Sequence, residues 1–326
     1  MRLSALEQLP LFQEHTETDT LHDAARLARG VEELGFDRFW VAEHHNSPHF
    51  LSSAPDIVMT HLLGATSRIR IGSGGVMAMH YGSLQIAERF ATMAALYGDR
   101  IDMGLGRAPG GDVVASAALN QGRVLAPDDI NRLILEAVGL LRGTLPEDHR
   151  YAGLTVSPRA EVLPQAWLLG SSGQSAAWAG VNDLNYAYAQ FFSGHQDPEV
   201  MDHYRRHLPD GHTSGRTLSA LLVSAAGTAE KAERRALAGE GFRMAQRLGL
   251  PLGFATPEQM TPEQLANART FLAHDHAPII GTYDEVATRV RTFADAHGCD
   301  EIMLISYLPD VEAKLGMYAE LAARLI

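Results

Sequence analysis

The sequence predicts an α/β protein built as one (β/α)8 TIM barrel over residues 1–326, with insertions after strands four and seven. Short apolar runs alternate with amphipathic segments of helical period along the chain, which is the rhythm of a parallel sheet. Eight such runs can be placed, and a length of 326 residues accommodates a barrel of about 250 residues with extended connections. The residues with chemistry to offer fall just after predicted strands and come from several of them, which is where a barrel assembles a site. Eight βα units would also suit a doubly wound sheet; the spread of polar residues over many strand ends favours the barrel.

The elements follow in order. Leu3–Leu6 is strand one, and in the next helix Leu21, Ala24, Ala28, Val31 and Leu34 share one face until Gly35 stops it. Arg38–Ala42 and Ile69–Gly75 are strands two and three. Leu84, Ala87, Phe90, Ala94 and Tyr97 then mark a helix ended by Gly98. Ile101–Leu105 is strand four. The Gly- and Ala-rich stretch 106–126 interrupts the repeat, and Pro127-Asp128-Asp129 opens a helix with proline and acids at its positive end. Ala166–Leu169, Asn185–Ala189 and Leu218–Ala225 are strands five to seven. Residues 228–281 hold extra helices, one beginning near Thr261-Pro262-Glu263, and such an extension at the active end is a candidate lid or simply added packing. Tyr283, Val286, Val290 and Phe293 lie on the helix before the last strand, Glu301–Ile305.

A net charge of -12 repels phosphate backbones and anionic bilayers, so neither nucleic acid nor membrane is expected as a partner. No run approaches the roughly 18 apolar residues of a membrane span. Met1–Glu7 has no apolar signal core, and the single cysteine, Cys299, allows no internal disulfide; both suit a reducing cytoplasm.

Four clusters could carry chemistry. Phe39–Ala42 runs into Glu43-His44-His45-Asn46, where a histidine could move a proton near neutral pH and Glu43 could orient it. In Ile71-Gly72-Ser73-Gly74-Gly75-Val76, glycines inside a strand suggest close approach of a flat ligand, or a bulge. Gly104-Leu105-Gly106-Arg107 ends strand four on a cation suited to a phosphate or a flavin oxygen; its spacing and Pro109 argue against a dinucleotide fingerprint. Gly170-Ser171-Ser172-Gly173-Gln174 leads from strand five into a helix, and free amides there form an anion site or an ordinary N-cap. His44, His45, His49, His274 and His276 do not make a metal set, because adjacent strand residues point apart and the last two lie in the insertion.

These clusters, together with Gly35-Phe36-Asp37-Arg38 and Ala87-Glu88-Arg89-Phe90, resemble the bacterial-luciferase-like flavin monooxygenases (luciferase family oxidoreductase, group 1 type) through about residue 190. The resemblance returns at Gly281–Val286 and the last strand. It implies a (β/α)8 barrel that binds FMN, or a deazaflavin in some branches, and acts on a small organic substrate with O2. His44 matches the family's active-site histidine, with Glu43 and Arg107 as further catalytic candidates. Gly74–Gly75, beside Ser73, matches a pair whose peptide is often cis and packs on the flavin ring. Gly106, Arg107 and the turn Gly170, Ser171, Ser172, Gly173, Gln174 match the phosphate site. A reductase supplying reduced FMN and a homodimer built on residues 54–97 are implied partners. Glu7 and His80-Tyr81-Gly82-Ser83 depart from the family's pattern at positions expected to border the pocket. The competing expectations are a deazaflavin-dependent hydride-transfer enzyme and a flavin-binding protein without turnover.

Overall fold

The computed structural model describes residues 1–194, 197–210, 216–250, 253–299 and 301–326. Its strands are β1 (Arg2–Glu7), β2 (Arg38–Val41), β3 (Arg70–Ser73), β4 (Val76–Met77), β5 (Ile101–Gly106), β6 (Gln165–Gly170), β7 (Asn185–Ala189), β8 (Thr217–Ala226), β9 (Ile279–Thr282) and β10 (Glu301–Ile305). The helices are α1 (Glu17–Glu33), α2 (Pro55–Ala65), α3 (Ser83–Tyr97), α4 (Val113–Leu119), α5 (Pro127–Arg142), α6 (Gly173–Val181), α7 (Gln190–Ser193), α8 (Glu199–Arg206), α9 (Ala229–Leu248), α10 (Pro262–His274), α11 (Tyr283–His297) and α12 (Val311–Leu325). Eight parallel strands run β10-β1-β2-β3-β5-β6-β7-β8, and β10 pairs with β8 from Ile302↔Ser219 to Ile305↔Leu222. That last ladder closes the ring, so the fold is a TIM barrel and not an open doubly wound sheet.

Two strands differ from expectation. The third does not run through to Gly75: β3 stops at Ser73 and β4 resumes beyond the glycine pair, alongside β5. Ser73 Oγ donates to the Gly104 carbonyl at 2.7 Å and accepts from the Gly104 amide at 3.0 Å, so a side chain replaces the ladder there. The strands approach so closely that a Cβ on Gly104 would lie 1.9 Å from the Ser73 carbonyl oxygen. The strand β9 is an addition. It pairs with the overhanging end of β8, from Val223↔Ile279 to Ala226↔Thr282, outside the ring. Two isoleucines followed by a glycine carry too little period to announce a strand. By contrast α10 starts where its capping signal predicts, with Thr261 Oγ1 accepting from the Gln264 amide.

One end of the barrel is filled by charge. Arg38, 1% exposed, donates to Asp102 at 2.7 Å and Glu301 at 2.8 Å, and lies 4.8 Å from the centroid of the Trp167 ring. Ser4 donates to Glu301, Trp40 Nε1 to Asp102, and Arg70 to the other oxygen of Asp102. Arg38, Glu301, Asp102 and Ser4 stand near the starts of their strands, so the network plugs the N-terminal mouth. Above it Leu6, Trp40, Trp167, Leu218, Ala220 and Met303 pack the interior. Open space is thereby left to the C-terminal mouth.

The long connection after β8 packs against the barrel through Phe242 and Phe254, which stack at 4.1 Å and join Phe12, Phe50 and Tyr307. Within it, Glu240 and Asp275 share one guanidinium: Arg243 Nη1 lies 2.9 Å from Glu240 and 2.7 Å from Asp275. Two carboxylates against one cation leave an uncompensated charge, and burial with Asp275 nearby pushes Glu240 up to about 7. A raised folded value means that this carboxyl stabilises the fold at low pH and loses that contribution as the pH climbs from about 4.5 to 7, by about 3 kcal/mol in all. Glu240→Gln, which mimics the protonated acid, is expected to flatten that part of the stability profile. Denaturant midpoints from pH 5 to 8 measure it; parallel profiles for variant and parent would refute the assignment.

Candidate functional site

A cavity of about 280 Å³ opens at the C-terminal mouth. Strand alternation decides what faces it. Leu6 and Gln8 point in, and so do Trp40, Ala42 and His44, whereas Glu7, Glu43 and His45 are not in its lining. Gly74, Gly75 and Gly106 form a wall without Cβ atoms, and the Gly74–Gly75 peptide is cis. Arg107, Gly170, Ser171 and Ser172 close one end, and Phe191 and Phe192 stand at the rim.

At the Arg107 end the chemistry suits an anion. Arg107 makes a hydrogen bond of 3.5 Å to Asn131 and lies 5.8 Å from the Trp178 ring centroid; among the described residues no carboxylate is within ion-pair distance. Facing it is the start of α6. Ser172 caps that helix by accepting from the Ser175 amide, and the first-turn amides of Gly173 and Gln174 have no acceptor within the helix. Gly170 must be glycine, because a Cβ there would fall 2.2 Å from Ser175 Oγ, which itself donates to the Ser172 carbonyl.

His44 presents a different chemistry. Its ring stacks on Phe50 at 4.4 Å. Nδ1 is buried with no hydrogen-bond partner among the described residues, and the residue lines the cavity. Burial, reinforced by His45, depresses its pKa to about 4, so the imidazole is neutral at physiological pH.

Eight of the sequence-predicted site residues, His44, Gly74, Gly75, Gly106, Arg107, Gly170, Ser171 and Ser172, line this one cavity. Ser73, Glu43, Gly173 and Gln174 do not. Ser73 is committed to Gly104, and Gly173 and Gln174 supply backbone from the helix start. Glu43 does not orient His44. It accepts from His45 Nε2 at 2.6 Å, Tyr81 at 2.8 Å and the Met77 amide at 2.9 Å, and so ties together the loops after β2 and β3. Glu43→Ala would strand these three partners and is expected to cost about 3 kcal/mol or more, read from the shift in urea midpoint. A shift below about 1 kcal/mol would show that the hub is dispensable. The expectation that Glu7 and His80-Tyr81 border the pocket is corrected as well. Glu7 pairs with Lys314 at 2.6 Å behind β1, His80 reaches the Pro109 carbonyl, and Tyr81 reaches Glu43. Sequence reasoning missed Gln8, although it shares the inward phase of Leu6, and it missed Phe191 and Phe192, which follow β7.

The luciferase-like monooxygenase family model matches residues 6–299. The chain belongs to the luciferase-like monooxygenases. Among its relatives in this family are YwcH of Bacillus subtilis (strain 168), 35% identical over 97% of this chain and 96% of its own length, and the N-acetyl-S-alkylcysteine monooxygenase of the same strain, 32% identical over 96% and 95%. The crystal structure of apo-MsnO8 is similar at 34% identity with a TM-score of 0.87, covering 99% of this chain and 98% of the other. The likeness in fold alone extends to a type II Baeyer-Villiger monooxygenase from Pseudomonas putida in complex with FMN (15% identity, TM-score 0.69, covering 100% and 99%) and to an F420-dependent secondary alcohol dehydrogenase (16%, 0.71, 100% and 99%). In this luciferase-like monooxygenase, then, the cavity lies at the mouth where the fold class places its chemistry.

Proposed function

We propose that the protein is an FMN-dependent monooxygenase that takes reduced flavin from a separate reductase and uses O2 to oxidise a small organic substrate. The observation that carries this reading is the polarity of the cavity. The lining combines an arginine, with no carboxylate in ion-pair distance among the described residues, beside a helix start, a Cβ-free wall and a neutral imidazole. These features suit a phosphate, a planar ring and a reacting centre respectively.

Reduced FMN, when bound, supplies the two electrons that let one oxygen atom of O2 enter the substrate while the other leaves as water. The chain supplies the rest. Arg107, the hydroxyls of Ser171 and Ser172 and the α6 amides hold the phosphate. Gly74, Gly75 and Gly106 let the ring lie against backbone. Trp40, Leu6, Met303, Phe191 and Phe192 keep water from the centre. His44 holds or moves a proton at Nε2; with Nδ1 buried and unpaired among the described residues, a bare lone pair there costs less than an orphaned N–H, which favours the proton on Nε2.

Calorimetry with FMN, riboflavin and a deazaflavin tests the cofactor. The expected order is FMN well ahead of riboflavin, with O2 consumed only when reduced FMN and substrate are both present. Tight uptake of the deazaflavin F420 with no O2 consumption would replace this reading with hydride transfer, which the F420-dependent structural neighbour keeps in view. Tight FMN uptake without turnover would indicate a carrier. The proposal includes a cytoplasmic homodimer docking through α2 and α3, where Ile57 and Leu96 are exposed; sedimentation of the purified chain measures it.

A further inference from the structure

We propose that Gln8 is the residue that orients the substrate, and that the site takes an uncharged, largely apolar molecule bearing one hydrogen-bond acceptor. This rests on the FMN reading above and deepens it.

Gln8 is buried but lines the cavity, just beyond the end of β1. Its Oε1 accepts from the Tyr307 hydroxyl. Desolvation of the partly buried Tyr307 phenol raises its pKa above the ordinary value, so it stays protonated and donates. An amide whose oxygen is fixed in this way has its NH2 fixed too. That NH2 has no acceptor among the described residues, and it is not among their sealed, unpaired polar atoms. It is therefore a donor prepared for something that is not protein.

The lock is built by the long connection after β8. Tyr307 packs on Phe254 with ring centroids 5.1 Å apart, and α9 carries glycine at 239, where a Cβ would strike the Tyr307 ring at 2.6 Å. The same connection reaches His44, since Phe242 and Phe254 pack on Phe50, which stacks on the imidazole. One aromatic cluster thus fixes two polar groups of the cavity from behind. In this part of the connection the aromatic packing acts as a support.

Charge is what the substrate lacks. Arg107 is the one residue of fixed charge among the described lining residues, and it stands at the Ser171–Ser172 end, where the phosphate is placed. His44 is neutral. A carboxylate in the remaining space would lose its hydration with no cation to meet it. What remains is apolar wall from Leu218, Ala220, Met303, Phe191 and Phe192.

The test uses FMN-loaded protein and three probes of similar size: acetophenone, which carries an acceptor; isopropenylbenzene, in which CH2 replaces that oxygen; and benzoate, which is anionic. Dissociation constants come from the flavin difference spectrum, with no turnover needed. Acetophenone is expected to bind at least about tenfold tighter than either other probe. Gln8→Leu should abolish its advantage over isopropenylbenzene. Tyr307→Phe, which keeps the ring packing but releases the amide, should narrow that advantage several-fold without changing FMN affinity. Benzoate binding as well as acetophenone, an unchanged ratio in both variants, or no binding of acetophenone would each overturn the proposal. Loss of FMN affinity in Gln8→Leu would overturn it too, by placing the amide on the flavin. Failure of the parent protein to take up FMN at all would instead overturn the functional reading beneath it.

Discussion

His44→Ala is expected to lower substrate oxygenation by about 10²–10⁴-fold, the range of a removed general acid or base, with FMN affinity nearly unchanged. The imidazole is a lining residue distinct from Arg107, Ser171 and Ser172, so its loss removes a proton site and leaves those side chains in place. Stopped-flow mixing of the reduced, FMN-loaded variant with O2 and substrate measures the effect; oxygenation within threefold of the parent would remove His44 from the mechanism. The pH dependence is a second check. Because burial holds His44 at about 4, the rate should show no inflection near 6.5, and the imidazole resonances should titrate near 4. The stability consequence has a definite sign. A histidine whose folded value is depressed contributes stability above pH 6.5 that is lost as the pH falls toward 4, because the unfolded chain takes up its proton first. The alanine variant should lose less stability over that interval.

Arg107→Met is expected to weaken FMN binding by roughly 10- to 150-fold, the equivalent of the 1.5–3 kcal/mol carried by hydrogen bonds to charged groups. Riboflavin binding should hardly change. The distinction follows from the guanidinium, which lines the cavity with Ser171 and Ser172 and among the described residues has only a 3.5 Å hydrogen bond to Asn131 to satisfy it. Methionine keeps the aliphatic bulk against Trp178, so a loss specific to the phosphorylated flavin isolates charge from packing. Equal losses for FMN and riboflavin would mean that Arg107 shapes the cavity instead of holding an anion.

Much of this protein is set by local pattern. Apolar periodicity located the eight barrel strands and the main helices, with Thr261, Pro127, Gly35 and Gly98 marking ends, because caps and stops act within one turn of chain. Residues at and just past strand ends named eight of the cavity's 24 lining residues, since a parallel barrel brings all its strand ends to one mouth. Only the tertiary structure decided the rest. The break in the third strand depends on Ser73 meeting Gly104 from another strand, and the partner of Glu43 depends on which face each residue after β2 takes. Lys314 meets Glu7, and Tyr307 meets Gln8, across some 300 residues of chain. Hydrogen bonds and ion pairs of that separation leave no periodic trace in the sequence, because nothing in the intervening chain has to repeat for them to form.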